Sequence, residues 1–299
     1  MSDLAWSRDG TDWPNRNASS FVEAAGIRWH VQTMGQGQHL LLLHGTGAAT
    51  HSWRAVAPLL AQHFTVVAPD LPGHGFTQSP PAHRLSLPGM ASDVSRLLHV
   101  LDVKPDIVVG HSAGAAILAR MCLDRRIAPR LLVSLNGAFM PFGGVAHHLL
   151  SPLTRLLALN PLTARMFAWQ ASNPGAVERL LHNTGSTIDP EGVALYRKLV
   201  RSPAHVAAAL QMMANWRLES LLHDLPRLVT ALLLVVADND RSVSPDVAYR
   251  VREICPQAMI ERLGSLGHLA HEEQPQLIAE LIVRYAARAG SSGNRSAGM

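Results

Sequence analysis

Three short stretches hold residue types that could do nucleophilic chemistry together. Gly110-His111-Ser112-Ala113-Gly114 fits Gly-x-Ser-x-Gly, with "DIVV" before it and "AAILARM" after it. A serine between a buried strand and a helix, flanked by small residues, can sit on a strained turn that projects its hydroxyl. The helix that starts at Ala113 aims its N-terminal dipole at the same point. Such a serine needs a base, an acid to orient that base, and donors for the developing oxyanion. His268, in "LGSLGHLAHEEQP", is the expected base, placed after the last strand pattern and before the last helix pattern. Asp240, in "LLLVVADNDRSVSP", is the expected acid, with Asp238 bracing the turn. His271, followed by two glutamates, reads as a surface histidine at a helix start. Asn136 stands where an acid could sit, but an amide stabilises an imidazolium poorly.

The oxyanion donors are expected to be the Ala113 backbone N–H and one from "HGTGA" (44–48). Thr46 follows His44-Gly45 there, and its hydroxyl either adds a donor or caps the loop. "PDLPGHGFT" (69–77) lacks GxGxxG and the GK[ST] ending, so it reads as a structural turn rather than a phosphate cradle. His74 and His111 read as packing or turn residues. The 16 histidines show no HExxH spacing, and only His147-His148 suggests a ligand pair. No metal or cofactor is expected.

These residues need a frame, and the chain supplies one. "GIRWHVQT" (26–33) alternates as a half-buried strand does. "HLLLLHG", "FTVVAPD", "DIVVGHS", "RLLVSLNG" and "ALLLVVAD" are apolar throughout, as strands covered on both faces are. "AMIERLG" (258–264) is a weaker last strand. Helical spacing covers 51–62, 89–101, 113–123, 244–255 and 275–288. Strand–helix alternation predicts an α/β fold, a mostly parallel sheet with helices on both faces. Between Gly137 and Pro226 the alternation stops, and helices are expected over 149–158, 176–181, 193–200 and 204–222. The expected division is a core of 1–136 and 227–288, an inserted helical lid of 137–226, and a flexible tail of 289–299.

Composition excludes several functions. Charged residues are only 16% of the chain against 47% hydrophobic, so it is globular. A net charge of +4 comes without a run of Lys and Arg, so no nucleic-acid partner is expected. The two cysteines, Cys122 and Cys255, have no paired spacing and read as reduced thiols. The N-terminus lacks an apolar signal region. Residues 131–154 carry no charge, but their glycines, prolines and Asn136 fit a strand and loop rather than a span. A cytoplasmic location is expected. The positive charge and an apolar lid permit peripheral contact with an anionic membrane surface.

The motifs "HGTG", "DLPGHG", "GHSAG", "DNDRSV" and "GHLAHEE", in order, resemble the α/β-hydrolase superfamily, whose members follow the chain order Ser, Asp, His, and that resemblance implies a mostly parallel eight-stranded sheet with an inserted helical lid. Over "DWPNR", "LLLHGTGAATHSWR", "SLNGAFMPFGG", "TGSTID" and "MMANWRL" the chain is similar to the magnesium-chelatase accessory family of bacteriochlorophyll biosynthesis. That resemblance includes the lid region. It implies a tetrapyrrole (a porphyrin or its magnesium form) and magnesium-chelatase subunits as partners, at the surface of the photosynthetic membrane. Phe139, Met140, Phe142, Met212, Met213 and Trp216 are then candidates for an apolar substrate pocket, with Met166, Phe167 and Trp169 beside them. Arg155, Arg165, Arg197 and Lys198 could meet carboxylates. Two functions follow: a serine hydrolase acting on an ester or related tetrapyrrole, or a non-hydrolytic tetrapyrrole carrier for the chelatase.

Overall fold

The aliphatic runs send alternate side chains to opposite faces of one sheet. In β3 (His39–Leu43), Leu41 and Leu43 join one core while Leu40 and Leu42 join the other. The same alternation splits Leu132 from Leu131 and Val133 in β6 (Leu131–Leu135). It splits Leu232 and Leu234 from Leu233 and Val235 in β7 (Ala231–Ala237). Strands wet on one face could not be apolar at every position. The computed structural model describes residues 3–140, 160–170, 173 and 175–296.

The remaining strands are β1 (Ser19–Ala24), β2 (Ile27–Met34), β4 (Thr65–Pro69), β5 (Ile107–His111) and β8 (Met259–Leu263). Their spatial order is β1-β2-β4-β3-β5-β6-β7-β8. The β1–β2 and β2–β4 pairs are antiparallel and the others parallel. Beyond a short N-terminal turn, α1 (Trp6–Asp9), the core helices are α2 (Val56–Leu60), α3 (Leu87–Val100) and α4 (Ala113–Leu123). Between β6 and β7 lie α5 (Pro161–Gln170), α6 (Ala176–His182), α7 (Pro190–Val200), α8 (Pro203–Asn215) and α9 (Glu219–Asp224). The chain closes with α10 (Asp246–Ile254), α11 (Ala270–Glu273) and α12 (Pro275–Ser296). Among the described residues no helix is long and apolar enough to cross a membrane. Cys122 and Cys255 are buried free thiols, and burial pushes Cys122 up to about 12.

Several local expectations are revised. The 51–62 segment is not one helix, because a 3-10 turn over Thr50–Trp53 precedes α2. The 204–222 pattern breaks at Trp216, whose backbone is extended, giving α8 and α9. Helices α7 and α8 start earlier than their apolar spacing indicates. Asp189 and Ser202 accept hydrogen bonds from the N–H of Gly192 and His205, and Pro190 and Pro203 take the first helical position. The α5 helix was not expected, and the 149–158 helix lies outside the described residues. The 22-residue α12 runs to Ser296 rather than stopping at 288. Strand β2 is buried on both faces from Trp29 to Gln32. Gln32 Nε2 donates to Pro14 O at 2.7 Å, and His30 pairs with Asp70 at 2.8 Å, so the N-terminal segment covers its polar side.

Candidate active site

Ser112 sits at φ 51°, ψ −117°, between β5 and α4. Its N–H donates to Leu135 O at 3.0 Å, and its carbonyl accepts from Ala115 N–H and Ala138 N–H. The two glycines of the pattern are steric requirements. A Cβ on Gly110 would stand 2.4 Å from Ala115 N, and one on Gly114 would stand 2.3 Å from Leu43 O. The strained serine is therefore held by close backbone approach on both sides.

Asp240 and His268 meet as the sequence predicts. His268 Nδ1 lies 2.7 Å from Asp240 Oδ2, and both residues are buried. Asp240 Oδ1 accepts the N–H groups of Ser242 (2.7 Å) and Val243 (2.8 Å), which turns Oδ2 toward His268 as an acceptor. Nδ1 must then carry the proton, leaving Nε2 with a lone pair. Asp238 instead pairs with Arg262 at 2.9 Å on the surface. His111, next to Ser112 in the chain, packs its ring 4.6 Å from that of His268 and donates Nε2–H to the His268 carbonyl at 2.9 Å. Burial pushes His111 well below the usual imidazole range, so it serves as a neutral prop.

The loop carrying His268 has supports that the sequence did not reveal. Asn136 Nδ2 donates to Gly267 O (3.1 Å) and His268 O (3.0 Å), while its Oδ1 accepts Ala237 N–H at 2.8 Å. One amide thus ties the ends of β6 and β7 to the candidate base. From the helical insert, Thr184 O accepts His268 N–H (3.3 Å) and Ser186 Oγ accepts Leu269 N–H (2.8 Å). Glycine is required at 267, since a Cβ there would meet Gly185 at 2.3 Å. The only sequence signal for Asn136 was its place directly after a strand, where its φ of 46° suits an asparagine.

The 44–48 loop turns beside this centre. A Cβ on Gly45 would lie 3.0 Å from Ser112 Cβ, so the loop passes against the serine. His44 accepts Leu71 N–H on Nε2 (2.9 Å) and donates Nδ1–H to Gly45 O (2.8 Å). The Thr46 hydroxyl donates to Met212 Sδ at 3.5 Å. The Ala113 N–H is the first free donor of α4. Asp70, held below the usual carboxylate range by His30, His44 and the Phe76 N–H against a burial penalty, anchors the following loop. Gly75 passes so close that its Cβ would meet Asp70 Oδ2 at 2.2 Å.

His271 is not a surface residue. It is buried against Trp53, its Nε2 lies 2.8 Å from Ser52 Oγ, and desolvation pushes it down to about 3. Its neighbour Glu272 is fully buried too, accepting from Ser52 Oγ (2.6 Å), Tyr196 OH (2.7 Å) and Arg54. Ser52 gives its hydrogen to Glu272, so His271 donates from Nε2. The set joins the core to α7 and does not open to solvent.

The described lid candidates differ in exposure. Phe139 and Met212 are buried in the core, and Met140 and Trp216 pack against it, whereas Met213 is exposed. Met166, Phe167 and Trp169 of α5 are exposed as well. Phe142, Arg155 and His147-His148 lie outside the described residues. Arg165 is exposed. Arg197 pairs with Glu178, and Lys198 donates to Asp12 and to Asp9 O, so both cations have partners within the chain.

The buried acid–imidazole pair, the strained serine and the eight-stranded sheet define an α/β-hydrolase, and a model of the alpha/beta hydrolase family matches residues 40–281. The chain belongs to that family. It is 39% identical over 274 residues to the magnesium-chelatase 30 kDa subunit of Rhodobacter capsulatus, across 91% of this chain and 95% of that one. It is thus a homologue of that subunit. It is also 25% identical over 277 residues to the 2-hydroxy-6-oxo-2,4-heptadienoate hydrolase of Pseudomonas putida, across 90% and 96% of the two chains. Among solved structures, an α/β-hydrolase-fold protein from Burkholderia ambifaria matches with a TM-score of 0.73 at 22% identity, across 89% and 97% of the chains. That last likeness speaks to the fold alone.

Proposed function

We propose that the chain is a serine hydrolase that cleaves an ester or related bond of a tetrapyrrole in support of magnesium chelatase, in bacteriochlorophyll synthesis. One observation carries the reading. A buried Asp240–His268 pair, 2.7 Å apart with Nδ1 engaged, is tied through the His268 carbonyl to His111, whose chain neighbour Ser112 is held on a strained elbow. Such strain persists only where surrounding structure enforces it, and it clusters at reacting residues. The near full-length identity to a chelatase subunit, insert included, supports the substrate class.

In this mechanism His268 Nε2 takes the Ser112 proton as Oγ attacks the carbonyl. Asp240 keeps the imidazole in the right tautomer and stabilises the imidazolium without itself taking the proton. The Ala113 N–H, with the Thr46 N–H, receives the oxyanion. Collapse expels the alcohol, protonated by His268. Water, deprotonated by the same nitrogen, then releases the acid and restores Ser112.

The test joins chemistry to pigment. A fluorophosphonate probe should label Ser112 and fail on Ser112→Ala. In a phototroph lacking the homologous gene, the wild-type chain should restore pigment and Ser112→Ala should not. Normal pigment with Ser112→Ala overturns the hydrolase reading, and quenching of porphyrin fluorescence would then test tetrapyrrole carriage.

A further inference from the structure

The 44–48 loop has little side chain of its own to hold it. Gly45 and Gly47 flank Thr46, Gly47 is at φ 77°, and a Cβ on Gly47 would meet nothing within 4 Å. Its bracing comes from two imidazoles. His44 links the Gly45 carbonyl to the Leu71 N–H. His205, from the helical insert, repeats that bridge one step outward. Its Nε2 lies 3.1 Å from Gly47 O, and its Nδ1 accepts Gly75 N–H at 3.1 Å. Both imidazoles join the same two loops, and both donate to a carbonyl of 45–47. Burial keeps His205 neutral, down to about 4, with His44, Asp70 and His74 around it. Helix α8 is pressed on the second loop, since a Cβ on Gly73 would stand 2.5 Å from Ala208 Cβ. One turn on from Ala208, Met212 accepts the Thr46 hydroxyl.

We propose that His205 is a positioning residue that couples the insert to the oxyanion loop. With α8 docked, the His205 Nε2–H fixes the Gly47 carbonyl and so holds the 45–47 backbone that carries the Thr46 N–H. With α8 displaced, the loop keeps the His44 bridge and its own Ala48 N–H to Gly45 O bond. Docking of the insert and assembly of the oxyanion site are then one event. The inference rests on the hydrolase reading for its catalytic part and on hydrogen-bond geometry for its structural part.

Three substitutions of the full chain separate the two links. His205→Gln can still donate to Gly47 O, His205→Asn can still accept from Gly75 N–H, and His205→Ala does neither. Losing one oxyanion donor costs about 10²–10³ in rate, so a loosened loop should cost about 10–100-fold. We expect His205→Ala to lower kcat on a p-nitrophenyl ester, and the fluorophosphonate labelling rate, by that factor, with KM within about twofold. His205→Gln should recover most of the loss and His205→Asn little. Amide exchange of the 44–49 peptide should speed up in His205→Ala and not in His205→Gln. Wild-type labelling and exchange in His205→Ala would overturn the inference while leaving the hydrolase reading intact. A wild-type chain that no probe labels overturns the hydrolase reading and the catalytic part with it. The exchange comparison then still decides the coupling, and unchanged exchange overturns it.

Discussion

Acidification should unfold this protein at a higher pH than its carboxylates alone would dictate. Burial pushes His44, His51, His74, His111, His205 and His271 below their ordinary value of 6.5, with His205 near 4 and His271 near 3. The unfolded chain protonates these imidazoles at about 6.5, whereas the folded chain resists. Below that pH the unfolded state binds more protons, so stability falls as pH falls toward the folded values. A histidine kept neutral down to pH 5 loses about 0.7 kcal/mol of its contribution between pH 7 and 6 and about 2 kcal/mol between pH 7 and 5. His205 and His271, held near 4 and 3, therefore together remove about 1.4 kcal/mol between pH 7 and 6 and about 4 kcal/mol by pH 5, against a typical domain stability of roughly 5–15 kcal/mol, and the other four histidines act in the same direction. Asp70, held below its usual range, acts in the same direction at lower pH. Glu272, which burial raises, acts in the opposite one. Urea unfolding followed by tryptophan fluorescence at pH 8, 7 and 6 should show the loss. His51 offers a control, because neither of its ring nitrogens has a partner. His51→Leu should flatten the pH 7-to-6 slope. Stability that stays level from pH 8 to 5.5 would refute the reasoning.

Four further outcomes follow from single contacts. Ser112→Gly should be more stable than Ser112→Ala by about 1–2 kcal/mol, because φ 51°, ψ −117° strains any residue with a Cβ; equal urea midpoints would contradict this. Asp240→Asn should keep the fold yet slow fluorophosphonate labelling by up to about 10⁴-fold, since the amide favours the wrong His268 tautomer. Gly114→Ala should cost about 2–3 kcal/mol, as the new methyl meets the Leu43 and His44 carbonyls, which are backbone and cannot turn aside. Arg54→Met leaves the Glu272 carboxylate buried with only two hydroxyl donors and should cost about 3 kcal/mol at pH 7. The folded Glu272 carboxyl is raised, so this deficit should shrink as pH falls below that value, and adding Glu272→Gln should recover most of it.

The frame was legible because its signals are local. A run such as Leu40-Leu41-Leu42-Leu43 has only one comfortable setting, a strand covered on both faces. Gly110 and Gly114 are forced by backbone contacts within a few residues of the elbow or with the adjacent strand. Asp240 and His268 were found by their places after strands, which fold topology fixes. The structure brings them to hydrogen-bond distance, and their catalytic role is a matter for the labelling experiment. Strand β1 escaped notice because its burial is mixed, with only Ala24 fully covered, so it carries neither clean alternation nor a continuous apolar run. The α5 helix shows only two buried residues, Ala164 and Ala168, and so leaves little periodic trace.

What the sequence hid is how polar residues are covered. His271 precedes two glutamates and reads as surface, yet Ser52, 219 positions away, and Tyr196 close over that segment. His205 sits inside an ordinary helix start, and nothing near it in the chain names Gly47 or Gly75 as partners. Polar side chains of this kind are selected by donors and acceptors that arrive from distant segments, so no periodicity marks them. The consequence is functional. Ser112, Asp240 and His268, proposed as the reacting residues, follow strands of the sheet, but Thr184, Ser186 and His205, which hold the 267–269 loop and the 44–48 loop, come from the segment between β6 and β7. An insert that builds part of the site cannot diverge freely from the chemistry beneath it. A substitution in α8 that never touches substrate should then alter the rate at Ser112, which a cover that only shields the site would not do.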